Sequence, residues 1–352
     1  MDNSINLSDF LSNEKGGSND QGLFVSMTAK EWLEQSKSKP IPKMLFDELW
    51  FEGELCVLIA DTNQGKSILA VQIADSISRG IEIDEFSIGV EAQPVLYFDF
   101  ELSEKQFEAR YSEQVDGSDF YHNQYEFDKF FIRSEINPNC NPPKHQSYDD
   151  WLLDSLISEI RFKNAKVIII DNITFLKSEL EKSKDAAPFI QKLKRLKDQE
   201  GLSILILAHT PKIDMSRPIN INHISGSKAI ANFIDSAFAI GESQTSKAIK
   251  YIKQIKVRHK EFKYHAGNVM VCAIIKKRNF LQLEPKYTEH EQEHLRIFKV
   301  SSSTDKALMA FELKSKGLSN IEIGKEIGVS EKMVRNYLKM DKEELQARTT
   351  RT

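Results

Sequence analysis

The sequence predicts an α/β fold in which a parallel sheet is flanked by helices and followed by a small all-α unit. Short apolar runs alternate with amphipathic stretches; the runs cover residues 55–60, 95–100, 130–132, 167–171, 204–208 and 237–240. Strands that are apolar on both faces and separated by helical segments indicate a parallel sheet covered on both sides. Shorter connections between residues 251–257, 268–275 and 280–283 predict added antiparallel strands. After residue 303, short helical patterns with capping residues predict the all-α unit.

Composition divides the chain into five predicted parts. The first part is polar and rich in Ser, Asn and Gly, and it ends in a short helix that the capping box Thr28 to Glu31 begins. The predicted parts are a disordered tail with this helix (1–39), an α/β domain (40–286), a polar linker (287–303), a small helical unit (304–341) and a flexible tail (342–352).

Global composition excludes several classes of protein. The formal charge of −4 over 352 residues gives no overall basic field, so any nucleic-acid contact must come from local clusters. Cys56, Cys140 and Cys272 have neither pairing nor metal spacing, which favours thiols in a reducing compartment. No apolar run reaches the roughly 18 residues of a membrane span, and no signal-peptide pattern is present. We therefore expect a cytoplasmic protein without membrane contact.

The segment between the first strand and the next helical pattern predicts a phosphate-binding loop. Its sequence is Ala60, Asp61, Thr62, Asn63, Gln64, Gly65, Lys66, Ser67 and Ile68. In such loops backbone N–H groups turn toward phosphates, the lysine neutralises their charge and the serine hydroxyl ligates Mg²⁺. Ala60 stands where a glycine is usual, so the backbone there must accommodate a Cβ. The loop predicts binding of ATP with Mg²⁺; a chance Gly-Lys-Ser in a surface loop is the alternative.

Polar side chains follow three further strands, at the edge where parallel sheets bind ligands. Glu101 is a candidate general base for the attacking water, with Asp99 as the nearby competitor and a helix cap or ordinary ion pair as the alternative role. Asp171 ends an apolar strand and is predicted to hold Mg²⁺ together with Ser67. His209 is a candidate γ-phosphate sensor, or else a histidine satisfied by backbone groups.

These motifs resemble the RecA-like core of DnaB-type replicative helicases and of the related hexameric RepA-type plasmid helicases. The resemblance covers residues 50–285 and includes the phosphate loop, Phe100 to Ser103 with Gln106 and Arg110, the Asp171 strand and the segment 224–238. It also includes Lys256-Val257-Arg258, similar to the Lys-x-Arg element that reaches the adjacent subunit's site. His209 replaces the usual glutamine of the DnaB type, which brings the chain closer to the RepA type.

This resemblance implies an ATP-hydrolysing motor in DNA replication of a plasmid or mobile element. It implies a homo-oligomeric ring, expected to be a hexamer, that binds single-stranded DNA. Arg258 is then an arginine finger acting in trans, with Lys256 as its companion. A non-translocating DNA-binding ATP switch and a recombination or helicase-loading ATPase are the alternatives.

Two regions are candidates for contact with single strands. The loop 212–223 contains Lys212 and Arg217, which could bind phosphates without reading sequence. The segment 247–286 has a local excess of Lys and Arg, which suits a DNA track, an intersubunit phosphate site or a solvated charged face.

The terminal unit resembles the helix-turn-helix of resolvases and LuxR-like regulators over about 36 residues. Its small core is expected to contain Ile323, Ile327, Val329, Val334 and Leu338. The third helix would then expose the candidates for double-stranded DNA binding, which are Lys332, Arg335, Asn336 and Lys339. Docking to a protein is the alternative role for such a unit.

Overall fold

The computed structural model describes residues 24–114, 116–172, 186–211, 214–224, 227–258, 260–295 and 303–341. The chain divides into two compact units, Met1–Lys43 and Met44–Thr352. The predicted tails, apart from residues 24 and 25, lie outside the described residues, as do 296–302 of the predicted linker and the DNA-contact candidate Lys212.

The described part of the first unit contains one helix, α1 (Ala29–Lys37). Thr28 forms the predicted capping box: its Oγ1 accepts from Glu31 N at 3.2 Å, and Glu31 Oε2 accepts from Thr28 N at 2.7 Å. No residue of this helix is buried, and the side chains of Trp32 and Leu33 are exposed. The prediction of a short helix is confirmed.

The second unit is built on a sheet that has nine strands among the described residues, in the order β13-β12-β11-β10-β3-β9-β8-β4-β7. The strands from β10 to β7 in this order pair in parallel, and β11, β12 and β13 pair antiparallel. The predicted parallel sheet with an antiparallel extension is therefore confirmed. Two small antiparallel pairs, β1 with β2 and β5 with β6, lie outside this sheet.

The strands are β1 (Met44–Phe46), β2 (Trp50–Phe51), β3 (Leu55–Ala60), β4 (Val95–Asp99), β5 (Glu113–Gln114), β6 (Tyr121–His122), β7 (Phe131–Ser134), β8 (Val167–Asp171), β9 (Ser203–His209), β10 (Ser236–Glu242), β11 (Ile249–Lys256), β12 (Val269–Lys277) and β13 (Phe280–Glu289). The helices of the second unit are α2 (Lys66–Arg79), α3 (Glu104–Arg110), α4 (Tyr148–Lys163), α5 (Ala186–Glu200), α6 (Ser227–Phe233), α7 (Ser303–Ser315), α8 (Asn320–Glu326) and α9 (Glu331–Tyr337).

Both faces of the sheet are covered, as the apolar strands require. Alternate residues of β3 enter different cores: Cys56 and Leu58 face the core that contains α2, whereas Val57 and Ile59 face the core that contains α4 and α5. Burial raises the pKa of the Cys272 thiol to about 12, and Cys56 is equally buried. Both cysteines therefore remain neutral thiols inside the core, in line with the sequence.

The terminal helices α7, α8 and α9 pack around their own small core. Ile323, Ile327 and Val334 are buried there as expected, while Val329 and Leu338 are only partly buried. Tyr337 is buried in addition, a contribution that the sequence had not suggested. The helical spacing therefore identified the core, and the partly buried positions lie where the short helices end.

The segment expected to be a linker from residue 287 onward differs in the structure. Strand β13 continues to Glu289, and residues 291–294 form a 3₁₀ helix in which Glu291 and His294 are buried. Polar composition suggested a linker, but Glu291 is held by an ion pair with Lys253 that the composition does not reveal. Within the described ranges, no helix is long and apolar enough to cross a membrane.

Candidate active site

The phosphate loop joins β3 to α2, as the sequence predicted. Gly65 has φ +93°, in the left-handed region, and a Cβ there would lie 3.0 Å from Leu283 Cδ1 and 3.2 Å from Ile274 Cδ1. Glycine is therefore required both by the backbone and by the side chains of β12 and β13 beneath the loop. Ala60 is the last residue of a strand, and extended backbone accepts a Cβ.

Lys66 begins α2 and is buried, with only 5% of its surface exposed. Its ammonium donates to the carbonyls of Ala60 and Asp61, both at 3.0 Å, and lies 3.2 Å from His209 Nδ1. Burial lowers the pKa of Lys66, while the charges of nearby acids, Glu101 first, oppose that change. These neutral partners leave the charge without a full counterion, so a phosphate at this position would be a stronger partner.

Asp171 ends β8 and has an environment that suits a metal ligand. Tyr97 donates its hydroxyl hydrogen to Asp171 Oδ2 at 2.6 Å, whereas Oδ1 is buried and has no hydrogen-bond partner among the described residues. Burial raises the pKa of Asp171 to about 6, although the hydroxyls of Ser67 and Tyr97 lower it. An unsatisfied carboxylate oxygen beside a serine hydroxyl is the donor set that Mg²⁺ takes in phosphate-loop proteins, so Ser67 and Asp171 fit that ion.

Asp99 has a positioning role and is not available as the general base. It is buried, its Oδ1 accepts from the backbone N–H of Glu101 at 3.1 Å and of Leu102 at 2.9 Å, and Arg133 donates to Oδ2 at 2.9 Å. With both oxygens engaged, Asp99 turns the chain after β4 and directs Glu101 outward. The sequence named Asp99 only as a competitor to Glu101 and missed this role.

Glu101 is placed where a general base is needed. Its carboxylate accepts hydrogen bonds from Asn172 Nδ2 and from His209 Nε2, the latter at 3.4 Å, and its side chain is 38% exposed. The hydrogen bond from His209 is the first cause that lowers the pKa of Glu101, and the charges of Lys66 and Arg110 lower it further against the opposing effect of burial. Glu101 is therefore ionised and open to a water molecule, as a base must be.

His209, at the end of β9, joins the phosphate-binding lysine to the base. Lys66 has only donor hydrogens, so Nδ1 of His209 accepts and Nε2–H donates to Glu101. This assignment describes a neutral imidazole with its hydrogen on Nε2. The predicted sensor position is thus in direct contact with both groups that a γ-phosphate would approach.

Arg110, the last residue of α3, adds a cation near these groups. Its NH1 is buried without a hydrogen-bond partner among the described residues, and its charge contributes to the lowered pKa of Glu101. Arg110 belongs to the motif that carries the family resemblance, but the sequence alone offered no reason to assign it a role. Tyr97 and Asn172 were not predicted as site residues. Tyr97 has the pattern of a core residue, whereas the position of Asn172 directly after the acid of β8 could have identified it.

Lys256 and Arg258 do not lie at the phosphate loop of their own chain. Lys256 donates to the carbonyls of Ala231 and Ile234, the latter at 2.7 Å, and Arg258 donates to Ile234 O at 3.1 Å and Asn232 O at 3.0 Å. Both cations therefore satisfy carbonyl groups at the C-terminal end of α6.

Most Lys and Arg side chains of the segment 247–286 contact other groups of the same chain. Lys250 and Lys253 are buried beside Glu242 and Glu291, and Lys276 donates to the carbonyls of Ala109 and Ser112. Lys260 and Lys263 pair with Glu48 and Asp47. These four lysines neutralise acids of the same chain and Lys276 satisfies carbonyls, so the segment offers fewer cations to DNA than its composition suggests. A DNA track over this segment stays a prediction.

The DNA-contact candidates elsewhere are exposed. Arg217 is 48% exposed and lies 3.6 Å from Asp214. On α9 and just after it, Lys332, Arg335, Asn336 and Lys339 are exposed, and Arg335 also pairs with Glu331 at 2.6 Å.

We expect Glu101→Gln to retain nucleotide binding and to lose about 10²- to 10⁴-fold in turnover, the usual contribution of a positioned base. Glutamine keeps the shape and can still accept from His209, but it cannot take a proton. Steady-state turnover and the Kd of a fluorescent ATP analogue measure the two quantities. Turnover within threefold of wild type would place the base elsewhere; Glu104→Gln, three residues away at the start of α3, is the matched control.

We expect Tyr97→Phe to weaken Mg²⁺-dependent nucleotide binding most strongly at low pH. The lost hydrogen bond had favoured the charged carboxylate, so the pKa of Asp171 rises above about 6 and more of it is protonated at pH 6 to 7. Titration of Mg²⁺ at several pH values should show a deficit that disappears by about pH 8.5. An equal deficit at every pH would instead indicate that the substitution only disturbs packing.

Comparison with known proteins agrees with this site. The AAA domain family matches residues 26–215, which include the phosphate loop, Glu101, Asp171 and His209. A KaiC-like protein from Pyrococcus horikoshii is similar at 15% identity with a TM-score of 0.46, covering 67% of this chain and 92% of that one. No curated protein matches. Because the family match spans more than half of the 352 residues, the chain belongs to the AAA domain family and is a P-loop ATPase.

Proposed function

We propose that this ATPase is a ring-forming DNA motor of the replicative helicase type, serving a plasmid or mobile element. The observation that carries the proposal is the contact of His209 with both Lys66 and Glu101. One side chain thereby touches the phosphate-binding cation and the base, and the chain leads from it directly into the loop where RecA-like motors are expected to bind single strands. A motor needs such a link between hydrolysis and its DNA-facing loop.

The residues of the site divide the work of hydrolysis. Lys66 leaves the carbonyls of Ala60 and Asp61 to bind the β- and γ-phosphates, and Glu101 accepts the proton of the attacking water. Arg110 supplies a cation from the same chain toward the phosphoryl oxygens. Mg²⁺, when held by Ser67 and Asp171, neutralises charge on the β- and γ-oxygens.

Release of the γ-phosphate reverses these contacts. Lys66 returns to its carbonyl partners and to His209 Nδ1, and the hydrogen bond of His209 to Glu101 is restored. The neighbouring residue Thr210 is tied to the start of the phosphate loop, because its N–H donates to Ala60 O at 3.2 Å. A change at the γ-phosphate is thus passed to the beginning of the loop after β9.

The ring belongs to the proposal because the finger residues lie away from the site of their own chain. Arg258 is 43% exposed and its partners are backbone carbonyls and Asp235, at 3.4 Å. In a ring it would exchange these partners for the phosphoryl oxygens of the adjacent subunit, with Lys256 beside it.

The same contacts favour a second candidate, a non-translocating ATP switch. If Lys256 and Arg258 remain at the C-terminal end of α6, they stabilise that helix and no finger acts in trans. Nucleotide would then alter only the conformation or the oligomeric state, and the terminal unit would be the output.

The terminal helical unit is proposed to bind double-stranded DNA. Lys332, Asn336 and Lys339 are exposed with no acidic partner among the described residues, so they are free to contact phosphates and base edges. Such a module would bring the motor to a duplex site, whereas the ring would engage the single strand.

Steady-state ATP turnover without DNA, with single-stranded DNA and with duplex DNA tests the motor. We expect single strands to stimulate turnover at least several-fold, and Lys66→Ala to remove turnover under all conditions. Arg217→Ala should reduce the stimulation while basal turnover is kept. Low turnover that is indifferent to single strands would reject the motor and favour the switch.

Mixing two inactive variants tests the trans-acting finger. We expect Arg258→Ala to lose about 10³-fold or more in turnover with ATP affinity retained. Mixing it with Glu101→Gln creates interfaces that contain an intact Glu101 and an intact Arg258, so part of the turnover should return. A mixture as inactive as its components would reject the finger; Lys260→Ala, whose lysine pairs with Glu48, is the matched control.

A further inference from the structure

Residues 214–219, here called the post-sensor loop, contact the terminal helical unit. Asp214 Oδ2 lies 2.9 Å from the ammonium of Lys316, which directly follows α7 and also pairs with Glu312 at 2.8 Å. The two side chains of the pair are 27% and 36% exposed. The pair therefore joins the ATPase part of the chain to the three-helix unit at a partly shielded position.

Asp214 is held in a fixed orientation for this contact. Its Oδ1 accepts from Ser216 N at 3.1 Å and from Ser216 Oγ at 2.7 Å, and its carbonyl accepts from Arg217 N at 3.0 Å. Burial opposes ionisation, but the hydrogen bonds from Lys316 and Ser216 outweigh it and lower the pKa of Asp214 to about 2. The carboxylate is charged whenever the protein is folded near neutral pH.

The other end of the post-sensor loop is anchored to the core. Ile219 N donates to Glu291 Oε1 at 2.9 Å, and Ile219 O accepts from Lys253 at 2.8 Å. Lys253 and Glu291 are themselves a buried pair at 2.5 Å. Removing either partner would leave a buried charge, so this end of the loop resists displacement.

The middle of the post-sensor loop and the phosphate loop line the same cavity. Met215, Arg217 and Ile219 line a small cavity of about 20 Å³ together with Asp61 and Gln64. The carbonyl oxygen of the Gln64 side chain is buried and has no hydrogen-bond partner among the described residues. Movement of Asp61 or Gln64 would therefore displace residues of the post-sensor loop, because both loops line the same cavity in a closely packed region.

Nucleotide binding changes the contacts of the phosphate loop. Lys66 now donates to Asp61 O and must leave it to contact phosphate, which frees that carbonyl, while the N–H groups of the loop gain the anion as a partner. Arg217, which lines the same cavity, is also drawn toward the added negative charge and away from Asp214. With Ile219 anchored, the displacement falls on residues 214–217.

We propose that Asp214 and Lys316 form a nucleotide-sensitive latch, closed in the nucleotide-free chain and opened when ATP occupies the phosphate loop. The closed latch holds the terminal unit at the post-sensor loop and keeps Lys316 from binding a polyanion. That the polyanion is duplex DNA rests on the proposed function; the latch itself rests only on the ATPase site.

Thiol cross-linking in the full chain tests the latch. The background is Cys140→Ser, because Cys140 is the exposed cysteine and Cys56 and Cys272 are buried. We expect Pro218→Cys with Ser315→Cys, two exposed positions near the intact Asp214–Lys316 pair, to be joined by a short bis-maleimide, visible as a faster monomer band and by intact mass. A non-hydrolysable ATP analogue with Mg²⁺ should slow this reaction about two- to fivefold, the range for a partly exposed ion pair, and Lys66→Ala should abolish that effect.

The matched control pairs Pro218→Cys with Lys325→Cys, a lysine exposed on α8. Cross-linking of the 218–315 pair no faster than this control, or unchanged when Asp214→Asn removes the ion pair, would overturn the latch. A cross-linking rate unchanged by nucleotide, in protein shown to bind it, would overturn the nucleotide response.

Duplex DNA binding separates the latch from the proposed function. We expect Asp214→Asn to bind duplex DNA about two- to fivefold more tightly than wild type without nucleotide, with Asp116→Asn, exposed and in a turn, as the charge-matched control. Equal gains for both variants would overturn the withholding of Lys316. If no variant binds duplex DNA, the DNA-binding role of the terminal unit is rejected, whereas the cross-linking result still decides the latch.

Discussion

The parallel register of four strands is the constraint on which the site depends. β3 and β9 pair so that Ala60 lies opposite His209, and β4 and β8 pair so that Asp99 lies opposite Asp171. Parallel strands end at one edge of the sheet, so the phosphate loop and the candidate base, metal ligand and sensor all lie at that edge. A slip of one residue in either pairing would exchange the core-facing and opposite sides and remove the site as a whole.

Within that frame, the placement of charge sets the chemistry. Lys66 and Asp171 are both buried, so burial lowers the pKa of the first and raises the pKa of the second. Each is therefore more strongly ionised once its counter-charge arrives: phosphate for the lysine, and Mg²⁺ for the carboxylate. Glu101 is more exposed and is kept ionised by His209, which suits a group that must already be a base. Lys66 and Asp171 are thus buried charges that phosphate and Mg²⁺ would stabilise, whereas the candidate base Glu101 stays accessible to water.

The fold and the ends of the central strands could be predicted from sequence because they depend on local periodicity. The run 55–60 and the run 167–171 are reproduced without change, since continuous apolar strands have few alternative placements. Which acids pair with the lysines of the segment 247–286 was harder to predict. Lys250 and Lys253 resembled a basic surface. Glu242 reaches Lys250 through the pairing of β10 with β11, and Glu291, 38 residues from Lys253, reaches it through the packed 3₁₀ helix. Tyr97 likewise had no signal, because a buried tyrosine in an apolar strand reads as core until Asp171 is placed beside it.

If the proposed ring forms, Lys256 and Arg258 give a physical reason for its assembly to depend on nucleotide. At the C-terminal end of α6 these cations satisfy carbonyls and interact with the helix dipole, which is worth about 0.3–1 kcal/mol for each cation at an exposed site. A triphosphate at a neighbouring subunit would offer a charge-assisted partner that is roughly twice as strong as a neutral one. Under the proposal, the carbonyls hold both side chains without nucleotide, and bound nucleotide would favour their exchange to the interface. The same two residues would then stabilise the separate subunit in one state and link the proposed ring in the other.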